Sequence, residues 1–358
     1  MYHKARLFNM ELNQYKGELE EELKNILDYW INNTIDQLHG GFVGRIDDKN
    51  IVYPNAPKGS VLNARILWAF SAAYNKTREE KYLSMADRAF EYLYSFFIDK
   101  EHGGVYWTVD YKGQPLDTKN QVYALAFVIY ACSEYYKCAT NEKVKQVAVD
   151  LYNLIQRYSY DKINSGYFEA FTREWNQIPD LRLSNKDANE KKTLNTHLHI
   201  LEAYTNLYKI YPDAAIRNYI SELLENFKNH FIDKNAWHLN MFFDEDWNVK
   251  SDIISFGHDI EASWLLLEAA EAINDDRMLE LFKNIAVQMA ATAAKWIDKD
   301  GGLWYEYDPA HGLIKEKHWW PQAEAMIGFF NAWQISHDDH FLQYSLNNWN
   351  FVKKYILT

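Results

Sequence analysis

The chain has 358 residues, of which 48% are hydrophobic and 25% are charged, the usual balance of a soluble globular protein. Its formal net charge of −12 and its lack of a basic block argue against nucleic-acid binding through phosphate neutralisation. The sequence contains neither the apolar core of a signal peptide nor the roughly 20 consecutive apolar residues of a membrane span. We therefore expect a cytoplasmic protein that binds neither nucleic acid nor membranes.

Helical periodicity runs through most of the chain. Apolar residues recur at i, i+3, i+4 and i+7, which predicts amphipathic helices. Eleven such segments are present, at 15–34, 60–76, 80–97, 119–138, 141–157, 193–211, 215–231, 257–273, 276–295, 318–336 and 339–355. We predict an all-α protein that forms a single domain over residues 1–358.

A short aromatic-rich element lies between alternate helices. It reads "QLHGGFVGRID" at 37–47, and it recurs as "KEHGGVYWTVD", "KINSGYFEAFT", "KNAWHLNMFFD" and "KDGGLWYEYD". The matching positions step by 63, 62, 70 and 66 residues, and they are Gly41, Gly104, Gly166, Ala236 and Gly302. Such a period is typical of helix hairpins that stack or close into a ring. We predict an (α/α)6 barrel with about eleven helices and the twelfth missing, because a sixth loop would fall after Thr358.

The stretch "SFGHDIEASW" places His258 and Glu261 three residues apart, where they share one face of a helix. Three interpretations are open: half of a metal site, a hydrogen-bonded core pair, or an acid–base device. Ser255 is placed to cap the same helix. Gly257 would allow the backbone to approach a ligand closely.

The stretch "KTLNTHLHILEAYTNLY" places Asn195 and His199 four residues apart on one helix face, with His197 pointing elsewhere. His199 could equally pad the start of its helix. A zinc site built from His199, His258 and a carboxylate would lack the paired-histidine helix motif of metalloproteases. We therefore expect no catalytic metal. Glycine-rich phosphate loops and serine-nucleophile elbows are also missing from the sequence.

Five further side chains are candidates for ligand contacts. Arg65 interrupts an apolar helix stripe in "GSVLNARILWAF", and a charged group there needs a partner or a ligand oxygen. Tyr123 is a polar tip at another helix start. Trp319 and Trp320 are adjacent at a helix entrance, so at least one of them should face a cleft. Glu324 follows on the same helix.

These motifs resemble the N-acylglucosamine 2-epimerase superfamily, and most closely its branch of cellobiose and mannobiose 2-epimerases. The residues that carry the resemblance are "NTHLHILEAYTNLY", "SFGHDIEASWLL", "HWWPQAEAMIGFFNA", "SVLNARILW" and "GGVYW". The resemblance implies an (α/α)6 barrel. It also implies a cofactor-free enzyme that interconverts glucose and mannose at the reducing end of β-1,4-linked disaccharides such as cellobiose, mannobiose and lactose.

The resemblance further implies roles for the candidate residues. The sugar ring opens, a base removes the C2 proton to give a cis-enediolate, and an acid returns a proton to the opposite face. His258 is implied as one base, with Glu261 orienting it. His199 and Asn195 are implied to hold O1 and O2. Implied substrate contacts come from Arg65, Tyr123, Trp320 and Glu324, to which we add Trp319 as the neighbour of Trp320.

The second catalytic histidine of such enzymes lies in a C-terminal Pro-Tyr-His motif that this sequence does not contain. We therefore expect the second base to be absent from this chain. Four alternatives remain: an N-acylglucosamine or monosaccharide 2-epimerase, an aldose–ketose isomerase, a sugar-binding homologue without catalysis, and an inverting glycoside hydrolase, which would need two carboxylates about 6.5–9.5 Å apart. We expect a monomer or a homodimer.

Overall fold

The computed structural model describes the backbone of residues 2–357 and the side chains of residues 10–357. Eleven α-helices lie in this part of the chain, which confirms the predicted number. Their bounds are α1 Tyr2–Asn33, α2 Ser60–Thr77, α3 Glu80–Tyr92, α4 Val122–Ala139, α5 Glu142–Leu154, α6 Leu194–Ile210, α7 Ala214–Asn226, α8 Phe256–Ile273, α9 Asp276–Ala293, α10 Trp319–Ser336 and α11 Asp339–Tyr355. None of these helices is both long enough and apolar enough to cross a bilayer.

Two details of the helices differ from the prediction. The first helix begins at residue 2 rather than 15, because its N-terminal half is too polar to show a clear apolar stripe. The helices α3, α5 and α7 each end in a five-residue π-helical turn, at Leu93–Phe97, Ile155–Ser159 and Phe227–Phe231.

Within the described residues, ten short strands connect the helices at one rim. They are β1 Lys58–Gly59, β2 Thr108–Val109, β3 Pro115–Asp117, β4 Asn120–Gln121, β5 Ala170–Phe171, β6 Lys192–Thr193, β7 Phe242–Phe243, β8 Ile254–Ser255, β9 Glu306–Asp308 and β10 Gly312–Ile314. All pairings are antiparallel, within β1–β2–β3, β8–β9–β10, β4–β5 and β6–β7. Most pairs join the residues before one even-numbered helix to the loop that follows the next odd-numbered helix. They therefore fix where the even-numbered helices begin.

The helices form two layers, as in an (α/α)6 barrel. The even-numbered helices α2 to α10 pack side by side as the inner layer, and odd-numbered helices cover them. Helix α1 belongs to the outer layer and touches both ends of it. Its Asp28 pairs with Lys81 of α3 at 2.7 Å, and its Glu18 accepts the indole N–H of Trp349 of α11 at 2.7 Å.

Aromatic side chains fill much of the space between the layers. The largest fully buried side chains include Tyr82, Tyr167, Tyr204, Phe42, Phe70, Phe90, Phe97, Phe227, Phe231 and Phe243. Inner helices are buried on nearly all sides. In α4, for example, every residue from Leu125 to Ile129 is buried. A helix that is apolar all round is typical of a protein interior.

In three inner helices, a polar side chain near the start of the helix forms a hydrogen bond with a neighbouring loop. It is the fourth residue after the N-cap, and it accepts a backbone N–H: His197 from Tyr167 at 2.9 Å, Asp259 from Leu239 at 2.9 Å and Gln322 from Leu303 at 2.7 Å. His197 is fully buried, and burial lowers its pKa to about 3. It therefore acts as a neutral hydrogen-bond acceptor in the core.

The sequence repeat holds except in the fourth loop. Equivalent β-bridges join Tyr160 to Tyr167 and Ile232 to Leu239, so the residue that corresponds to Gly166 is His238. The predicted position Ala236 is wrong by two residues. The reason is that His238 takes the place of the glycine and its Nδ1 bonds to Asp259 at 2.6 Å.

Candidate active site

Each of the five inner helices points the sixth residue after its N-cap into the barrel. The N-caps are Gly59, Gln121, Thr193, Ser255 and His318, and the inward residues are Arg65, Phe127, His199, Glu261 and Glu324. At 1.5 Å per residue they lie about 9 Å below the N-terminal ends of the helices. Four of the nine residues predicted for the site belong to this tier.

His199 occupies the centre of the cluster. Its Nδ1 lies 2.9 Å from Oε2 of Glu202, and its Nε2 lies 3.9 Å from Oε1 of Glu261. The ring centroid is 5.0 Å from that of Tyr123, edge to face, and 4.6 Å from that of Phe127. Glu202 therefore holds the ring at Nδ1, and Nε2 is the nitrogen that faces the barrel interior.

Arg65 finds its partners on α4. Its Nη2 donates to the Tyr123 hydroxyl at 3.2 Å, and its guanidinium carbon lies 4.4 Å from the centroid of the Phe127 ring. Burial raises the pKa of Tyr123 to about 12, although the charge of Arg65 opposes the shift. The Tyr123 hydroxyl thus stays protonated and can donate its own hydrogen to a ligand.

His258 lies beside Trp320, with ring centroids 4.9 Å apart. Its Nδ1 is 2.7 Å from the Ser255 hydroxyl, and no hydrogen bond joins it to Glu261 among the described side chains. The ring-to-carboxylate contact that we expected inside α8 is therefore replaced by a contact with Ser255. Burial, with a smaller effect of the charge on His199, lowers the pKa of His258 to about 3, so the ring is neutral near pH 7.

Two local expectations change with this arrangement. Ser255 is the N-cap residue of α8 but makes no side-chain capping bond, because its hydroxyl serves His258. Gly257 permits a close approach, yet the approaching group is a protein ring: a Cβ on Gly257 would lie 2.5 Å from the indole of Trp320.

Glu261 and Glu324 form a buried acidic pair. Burial raises the pKa of both carboxyls, and the charge of Glu324 raises that of Glu261 further, while Arg65 opposes both shifts. Glu324 accepts the indole N–H of Trp264 at 2.9 Å. At least one of the two carboxyls therefore keeps a proton near neutral pH and can act as a hydrogen-bond donor.

The remaining predicted residues lie nearer the rim. Asn195 and Trp320 are each the second residue after an N-cap, as is Tyr123. Asn195 is half-buried, and its side chain has no hydrogen bond to the described residues. Trp319 is 62% exposed and is not brought to the cluster, because adjacent helical residues point about 100° apart. Of the paired tryptophans, Trp320 is the one against His258.

Sequence reasoning missed Ser255 as the partner of His258, Glu202 as the partner of His199, and Trp264 as the donor to Glu324. Glu202 and Trp264 are each the ninth residue after an N-cap, so the register of the repeat could have identified them. Within residues 10–357, no three His, Cys, Asp or Glu side chains are arranged to hold a metal ion.

Comparison with known proteins identifies the family. Residues 40–358 match the N-acylglucosamine 2-epimerase (GlcNAc 2-epimerase) family. The chain belongs to this family. It is 46% identical to a cellobiose 2-epimerase of Bacteroides fragilis, over 95% of this chain and 88% of that one. It is 37% identical to a cellobiose 2-epimerase of Dictyoglomus turgidum, over 97% and 89% of the two chains.

Solved structures agree with this membership. The cellobiose 2-epimerase from Bacillus thermoamylovorans B4167 superposes with a TM-score of 0.91 at 37% identity, covering 96% of this chain and 88% of that one. A GH76 α-mannanase of Bacteroides thetaiotaomicron superposes with a TM-score of 0.65 at 12% identity, which shows a shared fold alone. The family member described here is thus a sugar 2-epimerase, an isomerase on an (α/α)6 barrel.

Proposed function

We propose that this epimerase interconverts glucose and mannose at the reducing end of β-1,4-linked disaccharides such as cellobiose, mannobiose and lactose. Relatives named cellobiose 2-epimerase, at up to 46% identity, support this substrate class. The observation that carries the proposal is His258, a neutral imidazole whose Nδ1 is engaged by Ser255.

His258 is the base of the proposed reaction. The reducing-end ring first opens, because only the free aldehyde makes the proton on C2 acidic. When Ser255 accepts the Nδ1 hydrogen, the lone pair of Nε2 is free to take that proton, giving a cis-enediolate. Epimerisation is complete when an acid returns a proton to the opposite face of C2, a step to which we assign no residue of the described chain. A positioned base contributes roughly 10²–10⁴-fold to the rate when its pKa lies near the working pH, and the negative charge that develops beside His258 raises the pKa of the ring toward that range. Ser255 replaces Glu261 as the residue that orients the ring.

Side chains of α2, α4 and α6 stabilise the enediolate. The charge that develops on O1 and O2 is met by Arg65 and Asn195, with the Tyr123 hydroxyl as a further donor, while Nε2 of His199 accepts the hydrogen of a substrate hydroxyl at the same carbons. Preorganised donors need no reorientation when the charge develops, which makes them more effective than donors in bulk water. Glu261 and Glu324, with raised pKa values, supply at least one protonated carboxyl to sugar hydroxyls, so the pair does not add two full negative charges. Trp320 offers its ring face to the sugar.

Incubation with cellobiose in deuterated water tests the proposal. Deuterium at C2 reports proton abstraction, and a mannose reducing end reports return of a proton to the opposite face. His258→Asn should abolish both, whereas His311→Asn, which changes an exposed rim histidine bonded to Asp308, should leave both intact.

Other outcomes would point to the alternatives. Release of free glucose would indicate a glycoside hydrolase. Conversion of N-acetylglucosamine or of free glucose, with disaccharides left unchanged, would move the substrate class to the monosaccharide epimerases, and a ketose product would indicate an isomerase. Calorimetric binding of cellobiose without exchange at C2 would indicate a sugar-binding homologue.

We also propose that the enzyme works in the cytoplasm as a monomer or a homodimer. Its two cysteines, Cys132 and Cys138, are both free thiols, which fits a reducing compartment. Sedimentation of the purified protein would give the oligomeric state.

A further inference from the structure

A second tier of side chains lies beneath the cluster. It consists of the ninth residue after each N-cap, namely Trp68, Tyr130, Glu202, Trp264 and Ile327. Trp68 and Tyr130 stack with centroids 5.2 Å apart, so the floor of the site is largely aromatic. Glu202 is the charged member of this tier, and it places a carboxylate under His199.

Glu202 contacts two polar groups. Its Oε2 lies 2.9 Å from Nδ1 of His199, and the two side chains are only 11% and 7% exposed. On its other side is the hydroxyl of Tyr130. Burial raises the pKa of Tyr130 well above its usual value, and the charge of Glu202 and a hydrogen bond to it add to the shift. Tyr130 therefore keeps its proton, and the Glu202 carboxylate stays an acceptor for His199.

We infer that Glu202 is a positioning residue that holds His199 in the tautomer with hydrogen on Nδ1 and directs Nε2 toward the substrate. This inference rests on the proposed function and adds to it the residue that sets the chemical state of His199.

The two histidines of the site then differ by their partners. His258 faces a neutral hydroxyl, which leaves the ring uncharged. His199 faces a carboxylate, which accepts the Nδ1 hydrogen and leaves the lone pair of Nε2 toward the barrel interior. When the enediolate forms, Nε2 of His199 can accept the hydrogen of a substrate hydroxyl, and Glu202 keeps the ring in the orientation that this contact needs.

The test compares the Glu202→Gln and Glu202→Asp variants with the unsubstituted enzyme. The protein is labelled with ¹⁵N-histidine, and the His199 ring resonances are identified by their loss in His199→Gln. A glutamine can turn its amide N–H toward Nδ1, so Glu202→Gln should shift His199 toward the tautomer with hydrogen on Nε2. Glu202→Asp keeps the charge and should keep the Nδ1 tautomer in part.

Kinetics on cellobiose supplies the second readout. We expect kcat to fall about 10²-fold in Glu202→Gln with little change in KM, and Glu202→Asp to recover part of the loss. Glu134→Gln is the matched control, because Glu134 is also a part-buried acid on an inner helix but bonds to Lys137 and Asn206 instead. That variant should keep wild-type kcat and His199 resonances.

The outcomes separate this inference from the proposed function. Unchanged His199 resonances in Glu202→Gln, or an equal loss of kcat in Glu134→Gln, would overturn the role of Glu202. If the wild-type protein itself failed to exchange the C2 proton of any disaccharide, the proposed function would be wrong, and the ring resonances would still report whether Glu202 sets the tautomer.

Discussion

The Ser255 hydroxyl lies 2.7 Å from Nδ1 of His258, three residues further along the chain, and it does not cap the helix that it precedes. In α6 the equivalent residue, Thr193, does accept the N–H of Thr196. The start of α8 thus gives up a capping bond in order to hold the ring that we propose as the base.

Replacing Ser255 with alanine should therefore damage catalysis more than stability. We expect Ser255→Ala to lower kcat about 10-fold or more, because the tautomer of His258 is no longer fixed. Asn141→Ala is the opposite control: Asn141 caps α5 far from the site, and its loss should cost about 1 kcal/mol of unfolding free energy with kcat unchanged. Steady-state kinetics and urea unfolding measure both. Equal effects of the two substitutions on kcat would refute the prediction.

Acid should weaken the fold through His197. The folded ring binds a proton only near pH 3, whereas an unfolded histidine binds one near pH 6.5. Between these values the unfolded state holds more protons, so the unfolding free energy falls as the pH falls, by up to about 1.4 kcal/mol per pH unit. Urea unfolding at pH 6.5 and 5.5 would measure this slope. In His197→Gln the slope should be smaller, and an identical slope in the variant would show that His197 is not its source.

Gly257→Ala should displace Trp320. The new Cβ would meet the indole ring at 2.5 Å, so the ring must leave its place beside His258. We expect a higher KM for cellobiose and a changed tryptophan fluorescence. Gly17→Ala in α1 is the control, since a Cβ there meets nothing within 4 Å; it should raise stability by about 0.5–1 kcal/mol. Wild-type KM in Gly257→Ala would contradict the close packing.

Lys192→Met should destabilise the protein strongly. The fully buried Lys192 donates to Asp161 at 2.8 Å and to the carbonyls of Ser165 and Glu245. Its removal leaves a buried carboxylate without its cation, which typically costs 3–5 kcal/mol. Lys209→Met breaks a more exposed pair with Glu268 and should cost less than about 1 kcal/mol. Urea unfolding of the two variants would compare them, and similar losses would contradict the argument.

Much of the fold was predictable because the helical periodicity and the loop repeat are strong local signals. The bounds of α2, α8 and α11 lie within a residue or two of the predicted segments. The fourth loop was misaligned because His238 replaces the glycine that marks the other loops, and only the bridge from Ile232 to Leu239 reveals its place.

For the site, the sequence predicted which residues face the barrel interior but not all of their hydrogen-bond partners. Arg65, His199, Glu261 and Glu324 were identified by motif, and the structure brings them to one tier. The partner of His258 was not, because Glu261 and Ser255 are both three residues from it along the chain. Spacing alone cannot distinguish a contact one turn ahead from a contact one turn behind. The exposure of Trp319 likewise depends on which of two adjacent positions α10 turns inward.

The shared depth of the inward residues constrains how such a barrel can evolve. In every inner helix the inward residue is the sixth after the N-cap. One inserted residue near the start of α6 or α8 would therefore rotate His199 or Glu261 about 100° away from the sugar. The number of residues in the connecting loops is not constrained in this way. Variation in length should therefore accumulate between the helices, while new sugar preferences arise by exchanging one residue for another at fixed helical positions.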